Sequence, residues 1–346
     1  MSSETSTPYT PASTSTTVPG NETVSLMEEI KKYKTEALIE YLQKEEDLGL
    51  DDDDFEIICK QKVNGRTFFK ITKEELRSAG LGLGPATALV DFAKECKDKK
   101  LRSFSSYLSL SEVLAEYGYD SDGIDSILLF SPLTYEIKED NEILKRCMEE
   151  ILGRLCSYGT LQLDSLEAMR NEYVVALLHA SIYIVMDLTD KELSMRPQYG
   201  IVGEESRGWV DYAIKTLSVI TKDKQHKVLI GIAQNIKQLK STCKTNKRKR
   251  KRGADDFNYL YGIVTTGQNW HFLLYSPRKI SKASDTAYSI KFTKKALDPN
   301  SEKYQSLCKS VRKVLGIIVG LLKDKACAEE EPERKRVRIE GYQLKK

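Results

Sequence analysis

Asp211 lies in the strand-like run "GWVDYAIK", and thirteen residues further on Lys224 closes a second such run, "TLSVITKDK". A carboxylate and a lysine brought together by two neighbouring strands can act on phosphate. Phosphodiester hydrolysis uses one or two Mg²⁺ ions to hold the scissile phosphate and activate water. Mg²⁺ takes hard oxygen ligands, chiefly carboxylates, and a lysine beside the ion stabilises the charge that develops in the transition state. Residues two apart on a strand share a face, so Lys222 stands beside Lys224 and Asp223 turns to the other side. A shift of one residue would bring Asp223 round but misplace Lys224. An ordinary charged turn is the competing reading of 222–224. Glu204 and Glu205, in the turn before "GWVDYAIK", offer further acids.

The elements that must position these groups occupy 161–325. "SLEAMRNEYVVALLHASIYIVMDLT" carries Val174, Leu177, Leu178, Ile182 and Val185 at helical period and predicts a long helix. "QYGIVGEE", "GWVDYAIK" and "TLSVITKDK" follow as three strands. "HKVLIGIAQNIKQLKSTCK" returns to helical period through Leu229, Ile232, Ile236 and Leu239. "YLYGIVTTG" and "NWHFLLYSP" predict a hairpin, "AYSIKFT" a further strand and "SEKYQSLCKSVRKVLGIIVGLLKD" a closing helix.

This order resembles the restriction-endonuclease-like fold, written PD-(D/E)XK. More narrowly, "GEESRGWVDYAIK", "ITKDK", "GIAQNIKQL" and "YGIVTTGQNWHFLLY" resemble a nuclease-like domain expanded in filamentous fungi and related to crinkler-type effectors. The resemblance implies a central mixed sheet flanked by helices, with Asp211 as the first metal ligand and Lys224 as the site lysine. It also matches Glu172 to an acid on the first helix and Gln234 to a glutamine that supports the site. The departure is Lys222, where the pattern calls for a carboxylate. Lys222 removes one negative ligand and adds a charge that repels the metal. The resulting expectation is a nuclease-derived nucleic-acid-binding domain with a degenerate hydrolytic site. The alternatives are an active Mg²⁺-dependent DNA or RNA endonuclease using Asp211, Glu205 and Lys224, with Asp211 and Glu205 on the metal, and a scaffold that touches no nucleic acid.

Residues 25–100 read as short helices. "ITKEELRSAGL" opens on Thr72 with Glu75 three residues on, a capping box. Pro85 suits the first turn of "PATALVDFAKECKDKK", where its missing N–H is no loss. The stretch "VNGRTFFKITKEELRSAGLGLGPATALVDFAKE" resembles a sterile alpha motif domain, through Val63, Gly65, Phe69, Ile71, Leu76, Gly80-Leu81 and Gly84. The resemblance implies a five-helix bundle for self-association or partner binding. "DDDDFE" (51–56) and "KECKDKKLR" (94–102) supply opposed charges for head-to-tail contact. The chain as a whole is thus expected to be α+β and multidomain: an arm over 1–24, the bundle over 25–100, a helical connector over 101–160, the α/β unit over 161–325 and a charged tail over 326–346.

Composition sets the remaining bounds. The Ser/Thr/Pro-rich start cannot bury a core and reads as a disordered arm without a secretory signal. Seven scattered cysteines and three histidines have no zinc-ligand spacing, and single thiols fit a reducing compartment. The net charge of +3 conceals a dense basic run, Lys247, Arg248, Lys249, Arg250, Lys251 and Arg252, and a second cluster, "PERKRVR", near the end. The first predicts nuclear import, phosphate contact or both, and so a nuclear or else cytoplasmic protein. The longest apolar run, "VLGIIVGLL", is short enough to be a buried helix, and no membrane partner is expected.

Overall fold

The computed structural model describes residues 23–43, 45, 48–119, 123–162, 164–203, 205–215, 219–223, 228–248, 259–276 and 279–328, of which 23–24, 215, 219–223 and 245–248 are described by backbone alone. Its N-terminal part is a bundle of short helices: α1 (Leu26–Ile30), α2 (Thr35–Leu42), α3 (Asp52–Lys60), α4 (Gly65–Phe68), α5 (Lys73–Ser78) and α6 (Leu83–Asp98). α1 and α2 are separated by a break at 31–34. Caps set the other boundaries. Asp51 and Asp54 form a reciprocal box at α3, Asn64 accepts from two amides of α4, and Thr72 and Glu75 form the expected box at α5. Gly65 is required by contact, since a Cβ there would lie 1.7 Å from the carbonyl oxygen of Ile30. The buried aromatic is Phe68, with Phe69 and Ile71 half-buried at its edge.

The bundle is joined to the rest through main chain. β1 (Thr23–Ser25) pairs antiparallel with β2 (Lys100–Ser103), and β2 pairs parallel with β5 (Ser206–Lys215). Leu101 is buried in the bundle core, Val202 packs on it, and Arg207 of β5 pairs with Glu29 of α1. Residues 101–160, expected as a helical connector, therefore contribute β2 to the sheet. They also contribute β3 (Leu128–Leu129), along with α7 (Leu110–Ala115) and α8 (Glu142–Tyr158).

The described strands form one mixed sheet in the order β1-β2-β5-β6-β7-β8-β9-β3, with β4 (Ser194–Val202) beside β5 and β10 (Tyr288–Ser289) beside β8. Its remaining members are β6 (Val219–Asp223), β7 (Leu260–Thr265), β8 (Asn269–Ser276) and β9 (Lys279–Lys282). α9 (Glu167–Thr189) leads into β4, β5 and β6, an antiparallel meander. α10 (Val228–Arg248) then crosses over to β7, which lies parallel to β6. β7 and β8 form the expected hairpin, with Gly267 at φ +81° in its turn. "AYSIKFT" is mostly irregular, and only β10 within it pairs. α8, α9 and α11 (Glu302–Ala328) cover one face, while α7 and α10 cover the other.

By length and mean hydropathy, 1.3 over its most apolar stretch, α9 could cross a membrane, which composition alone had not suggested. Tyr173, Val174, Leu177, Leu178 and Val185 of this helix are buried against the sheet, α8 and α11, as a core helix requires. In α11, "VLGIIVGLL" is likewise buried. Gly316 and Gly320 there admit the backbone of Leu133–Tyr135, and the Tyr135 amide donates to the Gly316 carbonyl at 2.9 Å.

His271 of β8 is half-buried, and desolvation holds its imidazole below the ordinary value. A base whose folded pKa is depressed contributes stability that is present above its unfolded pKa, about 6.5, and is lost as the pH falls toward the folded value. Denaturant unfolding at pH 7.5 and 5.5 is expected to show a loss in the wild type that His271→Gln reduces. Equal losses in both would remove His271 as a cause.

Candidate functional site at the β5 fork

β4 runs along one edge of β5. On the opposite edge β2 pairs only at Ser206 and Arg207, and β6 only from Tyr212 to Ile214. Residues 208–211 thus face a gap between two diverging strands. Asp211 sits at the mouth of that gap and is 5% exposed.

The strand is irregular at this point. Val210 packs on the α10 side of the sheet, while Tyr212 and Ile214 pack on the α9 side. Residues two apart on a regular strand share a face, so the alternation breaks at Asp211. The partner strand breaks with it. Tyr199 lies on the α10 side and Met195 on the other, with Gln198 between them at φ +46°. The ladder resumes on either side, at Tyr199–Val210 and Pro197–Tyr212. Such irregularities bend a strand and re-aim a side chain. The expectation from period two alone did not include this one.

The β5–β6 ladder ends at Tyr212–Thr221, one step before position 211 would meet position 222. In the parallel register with β7, Lys222 is level with Val264 and Asp223 with Thr265. Lys224, Glu204 and His226 lie outside the described residues, as do Lys249, Arg250, Lys251 and Arg252. Lys247 and Arg248 form the end of α10.

The other expected site residues are held elsewhere. Glu205 immediately precedes β5, and Asp211 lies within it. The Glu205 carboxylate bonds Lys240 of α10 at 2.8 Å and lies 3.7 Å from Lys244. The Lys240 hydrogen bond holds its pKa below the ordinary carboxylate value. Glu172 is half-exposed and faces α8, 3.4 Å from Arg154. Among the described residues no three His, Cys, Asp or Glu side chains gather as a metal ion would require. Glu205 and Glu172 are thus each paired with a basic side chain in this structure.

Gln234 does belong to the fork, in a different capacity. Buried to 2%, its amide donates to the carbonyls of Ser105 and Tyr107 at 3.3 and 3.4 Å. One turn on, Gln238 is fully buried and donates to the Trp209 carbonyl at 3.2 Å. That carbonyl belongs to the stretch of β5 facing the gap, so a side chain satisfies what a strand would otherwise have bonded. Asn235, also fully buried, occupies the space over Gly262, where a Cβ would approach its oxygen to 2.0 Å. The segment between β2 and α7 is strapped down in the same way. Tyr107 bonds Ser206 at 2.7 Å, and its ring lies 3.9 Å from the Arg102 guanidinium and 4.7 Å from the Lys237 ammonium. Lys237 is buried and paired with Glu116.

Gln238, Lys237, Tyr107 and Ser206 were not singled out from sequence. Polar residues at i and i+4 look like a solvated helix face. For Lys237 and Gln238 the one signal was position, on the same helix as an apolar stripe that had to be covered.

Comparison with known families places a SAM-like domain at residues 5–95. The match takes in the helical bundle and begins inside the Ser/Thr/Pro-rich arm. No curated protein and no solved structure matches the chain. The chain thus joins a SAM-like module, a protein-association unit, to a mixed α/β region with a buried polar fork.

Proposed function

We propose that this protein associates through its SAM-like bundle and binds nucleic acid through a restriction-endonuclease-like α/β unit whose hydrolytic site is degenerate. The observation that carries the second half is the order α9–β4–β5–β6–α10–β7, an antiparallel meander closed by a parallel strand, with Asp211 buried at the joint of β5 and position 222 next in line on β6. In that arrangement Lys222 occupies the second-ligand position and opposes metal. The basic run 247–252 adds phosphate affinity and import, which puts the protein in the nucleus. A salt titration of binding to labelled DNA and RNA tests this. The reading expects affinity that falls steeply with salt and is lost when Lys247 to Arg252 are neutralised. An absence of binding at low salt would leave only a scaffold.

For the bundle, Asp51 and Asp54 are committed to capping α3, whereas Asp52 and Asp53 are exposed. The double change Asp52→Lys and Asp53→Lys is expected to weaken self-association about a hundredfold or more without unfolding the bundle, since like charges facing across an interface cost several kcal/mol. Light scattering over a concentration series would show it. An unchanged mass would mean that the acidic patch is not a contact.

A further inference from the structure

α8 and α11 lie side by side in opposite directions. Glu139, just ahead of α8, accepts from Arg312 of α11 at 2.6 Å, while Thr160, just past α8, accepts from the Lys294 amide, ahead of α11, at 3.0 Å. Between the two helices is a cavity of about 540 Å³, a size that small molecules occupy. Neither helix carries a residue of the fork. Leu144, Met148 and Leu152 of α8 and Cys308 of α11 give the cavity apolar walls. From Leu144 to Leu152 the helix rises about 12 Å, at about 1.5 Å per residue. Lys145, Lys309 and Arg312 line the end nearer Glu139, and Glu149 stands one turn past Lys145. Lys145 is paired outside the cavity, with Glu142 at 2.8 Å. Lys309 is exposed and has no acid partner among the described residues. Arg312 gives Glu139 only its Nη1, and Glu139 is 83% exposed. Tyr304 and Cys308, one turn apart, share a hydrogen bond on the α11 wall. That bond raises the Tyr304 phenol and burial raises the Cys308 thiol, so both stay neutral at neutral pH and set no negative charge against an anion.

We propose that this cavity binds an elongated apolar carboxylate, its head on Lys309 and Arg312 and its chain along Leu144, Met148, Leu152 and Cys308. Three cations and two acids line the cavity, which favours an anion over a cation. A carboxylate matches the planar guanidinium, whose Nε and Nη2 are left to bond it after Nη1 has met Glu139. The Arg312–Glu139 pair is exposed and therefore weakly held, so a ligand head can enter with a side-chain movement alone. The apolar walls choose a chain over a small anion such as phosphate, because only a chain takes them out of contact with water.

The test is calorimetric titration of the full chain with decanoate, kept below its micelle concentration, beside acetate, decan-1-ol and decylamine. Decanoate is expected to bind and the other three to bind at least about tenfold more weakly, since each lacks either the chain or the charge-assisted bonds. Arg312→Gln is expected to weaken decanoate by about tenfold or more. Lys303→Gln makes the same change in net charge at an exposed α11 residue outside the cavity and is expected to leave affinity unchanged. Melting curves check that Arg312→Gln folds; should it not, Lys309→Gln takes its place. Location is read separately, by mass-spectrometric mapping of N-ethylmaleimide on the cysteines. Decanoate is expected to slow labelling of Cys308 and to leave the exposed Cys59 of the bundle unaffected. Binding of decan-1-ol or decylamine as tight as that of decanoate would overturn the carboxylate assignment. An absence of decanoate binding, or binding that protects neither Cys308 nor depends on Arg312 or Lys309, would overturn the site. The nucleic-acid reading stands or falls apart from any of these results.

Discussion

Lys222→Glu is expected to turn a protein that leaves plasmid DNA intact into one that nicks it in Mg²⁺ or Mn²⁺. Position 222 follows Thr221, the last β6 residue paired with β5, and is the next to approach Asp211. A carboxylate there would complete a pair of oxygen ligands across two adjacent strands and remove a positive charge from the ion's surroundings. One transition-state stabiliser in such a site is worth about a hundredfold or more in rate, so a gain of that order over wild type is the expected result. Asp211→Asn added to Lys222→Glu should abolish it. Two outcomes would change the reading. Cleavage by wild type that Asp211→Asn removes would mean that a neighbouring acid already supplies the second ligand. An inert Lys222→Glu that still binds DNA would mean that the fork never was a hydrolytic centre.

Gly320→Ala is expected to destabilise the fold by about 3 kcal/mol, although the same exchange in a free helix would be favourable by about 1 kcal/mol. A Cβ at position 320 would lie 1.8 Å from the carbonyl oxygen of Leu133 and 2.5 Å from its carbon, both backbone atoms that no rotamer change can move. Relief requires either the 133–135 segment or α11 to shift, and α11 is buried along most of its length. In a chain of this size each kcal/mol lowers the melting temperature by about 1–2 °C, so a fall of about 3–6 °C should be measured. Gly153 of α8 is the control. Nothing lies within 4 Å of a Cβ built there, and Gly153→Ala should be neutral or slightly stabilising. Equal effects at the two glycines would mean that the 133–135 segment does not cross α11 as described.

The same glycines show where sequence reading reaches its limit. Periodicity identifies "VLGIIVGLL" as a buried helix, because apolar residues all round need cover on every side. It says nothing of what lies against Gly316 and Gly320, since that contact comes from a segment nearly two hundred residues away. Local signals were legible. Thr72 and Glu75 mark a helix start, the α9 stripe predicts its buried face, and "YLYGIVTTG" with "NWHFLLYSP" predicts the β7–β8 hairpin. Non-local ones were not. β2 and β3 are too short to show alternation and exist only because strands far along the chain accept them. The break at Asp211 needs both β4 and β5 to slip together, which neither strand announces alone. α10 hides Gln234, Asn235 and Gln238 behind a pattern that looks solvated, because their partners are carbonyls of a strap contributed from far upstream. Phe68 and Phe69 are adjacent and alike, and only the packed bundle selects the first for its interior.

The bundle and the α/β unit share main-chain hydrogen bonds from β1 through β2 to β5, with Arg207 and Glu29 alongside. Modules joined by a flexible linker gain avidity according to the linker's reach, which lets each search for its own target. Here the joint is a piece of sheet. Any partner gripped by the bundle is thereby set at a fixed bearing to the fork, and a row of such proteins would present its forks at a repeat dictated by the joint.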